Sequence, residues 1–275
     1  MKYTVQSSKY VLKNFIYLFP FAILPALFLS VSTDKNALVR IITALLKGRI
    51  SEWTFGDLFR AISVFNFASW KSIVFGLVGI IVIIPSVALL MALLEKHMRI
   101  GKRTFNGLWG KLNDNFMPTS CVVLTVLAIY ELWTLLLSSF LFLLSRIPFN
   151  IVAYALVIIA FIVFHVLLMV AIGAIYLWLP CMQITGFRAV EALQYSYQLM
   201  NPIRWRIMLA QICVLLAVEG LVCACAMLIT PIVFWIIVAI LYAGMLMIYC
   251  VRMQTVYFDR DHIERADLAK YYQRR

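Results

Sequence analysis

Six apolar runs, each long enough to cross a bilayer, constrain this chain more than any other feature of its sequence. A membrane-spanning helix needs roughly 17–25 predominantly apolar residues. Hydrophobic residues make up 64% of the 275 residues and charged residues 13%, whereas soluble proteins have roughly 45–50% and 25%. The sequence therefore predicts an all-α integral membrane protein with a single polytopic domain. The predicted spans are residues 15–31, 72–94, 119–144, 149–179, 207–229 and 232–251.

Lysine and arginine residues predict the orientation of these spans. Most of the 24 basic residues lie in segments that share one side with the N-terminus, including the tail from Arg252 onward. Because basic residues are retained on the cytoplasmic side, we expect three helical hairpins in the cell membrane with both termini in the cytoplasm. The net charge of +12 then indicates a bilayer with anionic headgroups as the partner, and no nucleic acid is expected.

Four segments outside the spans carry apolar residues at helical spacing. In one of them, Phe105, Leu108 and Leu112 are separated by three or four residues, which places them on one face of a helix. We expect these segments to lie on the membrane surface as amphipathic helices. For the long connection of residues 32–71, a re-entrant loop is the alternative. The predicted interfacial helices are residues 38–46, 55–66, 104–116 and 187–200.

The last two of these helices begin similar units of sequence. Each leads through a proline, Pro118 or Pro202, into an apolar run that holds one acid, Glu131 or Glu219. Such repeats are common in transporters, where binding sites form between the units. The alternative is that any protein built from membrane hairpins needs amphipathic segments where the chain re-enters the bilayer.

The segment Gly186–Ser196 has the pattern G-F-x-A-x-x-A-L-x-x-S and leads through a polar step into an apolar helix. In this layout the chain resembles uncharacterised bacterial six-helix membrane families, related to the membrane domain of some glycerophosphodiester phosphodiesterases. The segment Phe105–Phe116 also resembles YesL-like membrane proteins. The resemblance implies a bacterial membrane fold. It implies no phosphodiesterase activity, because no catalytic domain of that class is attached.

Three ionisable residues, Glu131, His165 and Glu219, lie deep inside predicted spans. A charge at the bilayer centre costs at least ~2.5–3.5 kcal/mol, so these side chains should face the bundle interior, pair with one another or line water. Each glutamate lies about 18 Å from the cytoplasmic end of its span, at a rise of about 1.5 Å per residue. The sequence predicts a ligand or proton site in which His165 shares a proton with one glutamate. The alternative is a purely structural hydrogen bond between helices.

The basic residues that follow the second span form another candidate site. Lys96, Arg99, Lys102 and Arg103 are predicted to contact anionic lipid, although such clusters also act simply as topology signals. No Cys or His residues have zinc-like spacing, and no nucleophile, phosphate-loop or dinucleotide motif is found. We therefore expect neither a metal nor a cofactor.

The sequence favours a non-enzymatic multi-pass membrane protein that binds, moves or senses a lipid or small molecule. The second possibility is a membrane subunit or regulator that acts through a protein partner at the cytoplasmic face. The tail from Asp259 is predicted to form a solvated helix, with Arg260 paired to Glu264 and Asp261 to Arg265, and a docking site for such a partner is the alternative. The third possibility is an intramembrane enzyme.

Overall fold

The computed structural model describes residues 2–148 and 150–268, and the regular secondary structure in these ranges is entirely helical. Six helices are long and apolar enough to cross a membrane, which confirms the predicted all-helical fold with six candidate spans. In chain order the helices are α1 (Lys2–Lys13), α2 (Phe15–Ser32), α3 (Lys35–Leu46), α4 (Phe55–Ile62), α5 (Trp70–Ile100), α6 (Leu108–Leu144), α7 (Asn150–Ala174), α8 (Trp178–Pro180), α9 (Ala189–Met200), α10 (Arg204–Leu228) and α11 (Pro231–Arg260).

Helix α6 is longer than the sequence predicts, because it passes through Pro118 without a break. Its first turns include residues 108–116, which were predicted to belong to a separate surface helix. A proline inside a helix removes one backbone hydrogen bond, here the bond to the carbonyl of Asp114. Asp114 is exposed, so the unpaired carbonyl lies on an open part of the helix. The structure thus joins two segments that the sequence predicts as separate helices.

Two further features are found near the ends of the chain: prolines inside α2 that do not break the helix, and a tail that differs from the predicted one. Helix α2 continues through Pro20 and Pro25 as one helix. Helix α11 ends at Arg260, so the helical pairs predicted for the tail do not form. Instead, Arg265 binds Asp267 with two hydrogen bonds of 3.2 and 2.8 Å. Residues 269–275 of the predicted tail lie outside the described residues.

Local polar groups explain where several helices begin and end. The side chains of Asp34, Thr54 and Ser69 accept hydrogen bonds from backbone N–H groups in the first turns of α3, α4 and α5. Gly101 ends α5 with a φ of 71°, a conformation that favours glycine. A Cβ atom at Gly101 would lie 3.2 Å from the carbonyl oxygen of Ala266. The segment after α11 therefore packs closely against the end of α5.

Apolar side chains from these helices form two large cores, a smaller one, and a small cluster that joins Leu93 of α5 to Leu108 of α6. In the largest core, Leu18 of α2 and Leu90 of α5 are fully buried among residues of α1 and α11. The second core joins Leu58 of α4 to Leu137 of α6 and to residues of α7. The smaller core contains Phe234 and links α3, α10 and α11. Helix α10 is the least buried of the six apolar helices, so it lies at the edge of the bundle.

The chain between α2 and α5 packs along α6 rather than only against its end. Near the turn between α6 and α7, the guanidinium of Arg146 donates to the carbonyls of Ser51 and Trp53 at 3.1 and 3.2 Å. About 20 Å back from the end of α6, at about 1.5 Å per residue, Glu131 accepts a 2.8 Å hydrogen bond from the backbone N–H of Val64. Helix α4 and the loop that follows it therefore run alongside α6.

Candidate functional site

The structure places two of the three predicted site residues in contact. The Nε2 atom of His165, on α7, lies 3.1 Å from Oε2 and 3.3 Å from Oε1 of Glu219, on α10. His165 is 2% exposed, whereas 32% of the Glu219 side chain is exposed. The pair therefore has one side covered by the bundle and another side that is open.

The hydrogen bond made by Nδ1 of His165 determines which proton His165 and Glu219 can exchange. The Nδ1 atom lies 2.7 Å from the carbonyl oxygen of Phe161, and a carbonyl can only accept a hydrogen bond. Nδ1 therefore carries a proton. The other proton lies between Nε2 and the carboxylate of Glu219, which gives either an imidazolium beside a carboxylate or a neutral ring beside a carboxylic acid. Transfer of this proton needs no movement of a helix.

Aromatic side chains hold the imidazole in this position. The Trp133 ring, from α6, meets the His165 ring edge-on, with the two centroids 5.0 Å apart and an angle of 85°. Its indole nitrogen donates to the carbonyl of Phe164 at 2.7 Å. The Phe161 ring lies 4.1 Å from the imidazole centroid. Helices α6 and α7 thus fix the histidine, while the glutamate is supplied by the less buried α10.

Glu131, the third predicted site residue, contacts a different part of the chain. Its Oε2 atom accepts a 2.7 Å hydrogen bond from the hydroxyl of Ser63, and its Oε1 atom accepts from the N–H of Val64. Among the described residues, none of its hydrogen bonds goes to His165 or Glu219. The carboxylate of Glu131 therefore satisfies polar groups of the loop after α4.

Two tyrosines extend the polar region around Glu219. Tyr130 and Tyr242 both lie close enough to interact electrostatically with Glu219, and Tyr130 also interacts with Glu131. The hydroxyl of Tyr242 lies 3.4 Å from that of Thr33 on α2. The sequence does not single out these tyrosines, because a tyrosine in an apolar helix is usually a packing residue. Tyr130 precedes Glu131 in the sequence, but only the fold shows that Tyr130 and Tyr242 lie near Glu219.

No family model, curated protein or solved structure matches this chain. Within residues 2–148 and 150–268, no group of three or more His, Cys, Asp or Glu side chains is placed to hold a metal ion. The pair formed by His165 and Glu219 is therefore judged on its own geometry.

The basic residues after the second span divide into two groups. Lys96 donates a hydrogen bond to a backbone carbonyl in the next loop, and Arg99 lies 3.3 Å from the buried carboxylate of Glu95. Lys102 and Arg103 are exposed. Lys96 and Arg99 thus stabilise the end of α5, and Lys102 and Arg103 are the members of the cluster that remain open to a headgroup.

Proposed function

We propose that this protein binds a small molecule or a lipid with a polar group and moves or senses it through the pair formed by His165 and Glu219. The observation that carries the proposal is the contact between a buried imidazole and a partly exposed carboxylate on different helices. A carboxylate in the hydrocarbon layer needs a polar partner on each exposed side, because an unpaired polar group there is costly. The open side of Glu219 leaves its carboxylate accessible to a ligand.

The proposal includes the orientation expected from the positive-inside rule. With both termini in the cytoplasm of a bacterial cell, Glu219 lies about 14 Å from the outer end of α10, at about 1.5 Å per residue. The path of α4 alongside α6 favours a re-entrant segment over two helices on the membrane surface. Its loop would then lie at the depth of Glu131, where an unpaired backbone N–H is costly and a carboxylate supplies the missing acceptor.

A titratable pair of this kind can couple ligand binding to a proton. Glu219 can pass its proton to Nε2 of His165, or its contact with His165 can break. In either case the carboxylate can accept a hydrogen bond from a donor group of the ligand. When the ligand leaves, the imidazole regains its partner. Because α10 is the least buried apolar helix, movement there would break fewer packing contacts than movement of α5. This makes α10 the element that we expect to respond to binding.

The test is mass spectrometry of small molecules and lipids that co-purify with the whole protein in a mild detergent. We expect one compound to be enriched in the wild type and lost in Glu219→Gln and His165→Gln. The matched control is Glu131→Gln, which changes an acid of similar position that contacts the loop after α4. The control should retain the compound.

Two results would contradict the proposal. One is the same set of compounds in the wild type and in Glu219→Gln. The other is a protein partner present in stoichiometric amount in every variant, which would favour the alternative function as a membrane subunit or regulator. A single symmetric peak in size-exclusion chromatography in the same detergent shows that each variant is folded.

A further inference from the structure

A cavity of about 240 Å³ lies between α1, α10 and α11, away from the pair formed by His165 and Glu219. It is lined at the amino ends of α1 and α10 and near the carboxyl end of α11. These three ends lie together at one end of the bundle. Three of the lining side chains are basic and none is acidic. The lining residues are Lys2, Tyr3, Thr4, Ile203, Arg206, Ile207, Ala210 and Arg252.

Arg252 is the most informative of these residues. It is 1% exposed, yet its Nη1 atom has no hydrogen-bond partner among the described residues. A buried charged group without a partner is costly, and native proteins rarely leave one so. The Nε atom donates to the hydroxyl of Tyr176 at 2.9 Å, which fixes the direction of the guanidinium. Arg252 is thus held in place with the two N–H groups of Nη1 left for a ligand.

The other basic residues are not neutralised either. No salt bridge within residues 2–148 and 150–268 involves Lys2, Arg206 or Arg252. Asp259 accepts a hydrogen bond from the lining residue Tyr3 and is exposed. One exposed carboxylate does not cancel three cations. The first N–H groups of α10 add a positive end of a helix at the same place.

We propose that this cavity binds the phosphoryl group of a phosphate ester, supplied by an anionic lipid headgroup or by a soluble phosphate compound. Arginine binds phosphate oxygens through its planar set of donors, and a lysine adds a point charge. A guanidinium held rigidly by a tyrosine loses little freedom on binding. Arg252 would contact the phosphoryl oxygens at the base of the cavity, and Arg206 and Lys2 would contact them at its mouth.

The test measures the thermal-unfolding midpoint and the native mass spectrum of the whole protein in a non-ionic detergent. One arm adds inorganic phosphate against chloride at equal ionic strength. The second adds phosphatidic acid against diacylglycerol, which has the same chains and no phosphate. Stabilisation by phosphate and by phosphatidic acid supports a general phosphoryl site. Stabilisation by phosphatidic acid alone assigns the site to a lipid headgroup, and stabilisation by phosphate alone assigns it to a soluble compound.

Variants separate this cavity from non-specific attraction. We expect Arg252→Gln and Arg206→Gln each to weaken binding by about tenfold or more, since a hydrogen bond to a charged group has that magnitude. Arg206 and Lys2 are exposed, so Arg206→Gln and Lys2→Gln test the site even if Arg252→Gln does not fold. The control is Arg188→Gln, an exposed arginine that does not line the cavity. Equal binding by the wild type and all the cavity variants, or no binding of either phosphate source, would overturn the proposal.

Discussion

The Nε2 atom of His165 lies 3.1 Å from Oε2 of Glu219, with 53 residues between them in the sequence and each on a different helix. This contact joins α7, which is packed against α6, to α10, which lies at the edge of the bundle. The histidine is fixed by Phe161 and Trp133. The glutamate depends on the position of α10. The distance between His165 and Glu219 therefore depends on the position of α10.

The first prediction concerns the energy of this contact. In a double-mutant cycle of His165→Gln and Glu219→Gln, we expect a coupling of about 0.5–3 kcal/mol, the range for residues in direct contact. Unfolding in mixed detergent micelles, followed by circular dichroism, gives the four free energies. Additive effects of the two substitutions would show that the contact contributes nothing to stability. A parallel cycle of His165→Gln with Glu131→Gln should be additive, because Glu131 contacts other groups.

The second prediction assigns Glu131 a structural role. In Glu131→Gln an NH2 group replaces one acceptor oxygen, so one of the two hydrogen bonds that the carboxylate accepts from Ser63 and Val64 is lost. We expect the substitution to lower the free energy of unfolding by about 1–3 kcal/mol, the cost of an unsatisfied polar group. When the six native cysteines are replaced by serine, Phe67→Cys, at an exposed position of the same loop, should react faster with a maleimide if Glu131→Gln is also present. Unchanged stability and unchanged labelling would contradict the structural role. The control is Glu52→Gln, which removes an acid from an exposed salt bridge with Arg49.

The third prediction concerns pH and the ion pair of Arg40 with Asp57. Burial alone would raise the pKa of Asp57, but hydrogen bonds from Arg40 and Thr54 outweigh it and lower the pKa. A carboxyl group with a lowered pKa adds stability above its unfolded value of about 4, and this stability is lost as the pH falls through the folded pKa. The unfolding midpoint of the wild type should therefore exceed that of Asp57→Asn at neutral pH. The difference should shrink below about pH 4, and a constant difference would contradict this account.

The fourth prediction compares two glycines inside helices. A Cβ atom at Gly76 would lie 2.9 Å from the carbonyl oxygen of Val64, a backbone atom that cannot easily move. Gly76→Ala should lower the free energy of unfolding by about 1–3 kcal/mol, as overpacking does. A Cβ atom at Gly244 would meet nothing within 4 Å. Gly244→Ala should be neutral or stabilising by up to about 1 kcal/mol. Equal changes in the free energy of unfolding for Gly76→Ala and Gly244→Ala would contradict the close packing of Val64 against Gly76.

The sequence predicted the parts of this fold that depend on local information. Long apolar runs identify helices, and the cost of a charge in hydrocarbon identifies His165 and Glu219 as residues that need partners. The partners of Glu131 could not be predicted, because the sequence places Ser63 and Val64 in a surface helix of residues 55–66, whereas α4 ends at Ile62. The sequence predicts separate helices on either side of Pro118, because a proline in a helix interior usually breaks it. The energetic cost of the proline depends on whether the freed carbonyl is exposed, which the sequence does not show. The contacts of Glu131 and the exposure of the Asp114 carbonyl become evident only when the positions of the helices are known.

The hydrogen bonds from Ser63 and Val64 to Glu131 also set an order for assembly during synthesis. When the ribosome has released residues 1–100, the loop after α4 has been made but its acceptor has not. The loop can reach its final structure only after α6 has entered the membrane and brought Glu131 beside it. The first hairpin therefore completes its fold after the second has begun, and a chain truncated before Glu131 should remain with the insertion machinery or be degraded.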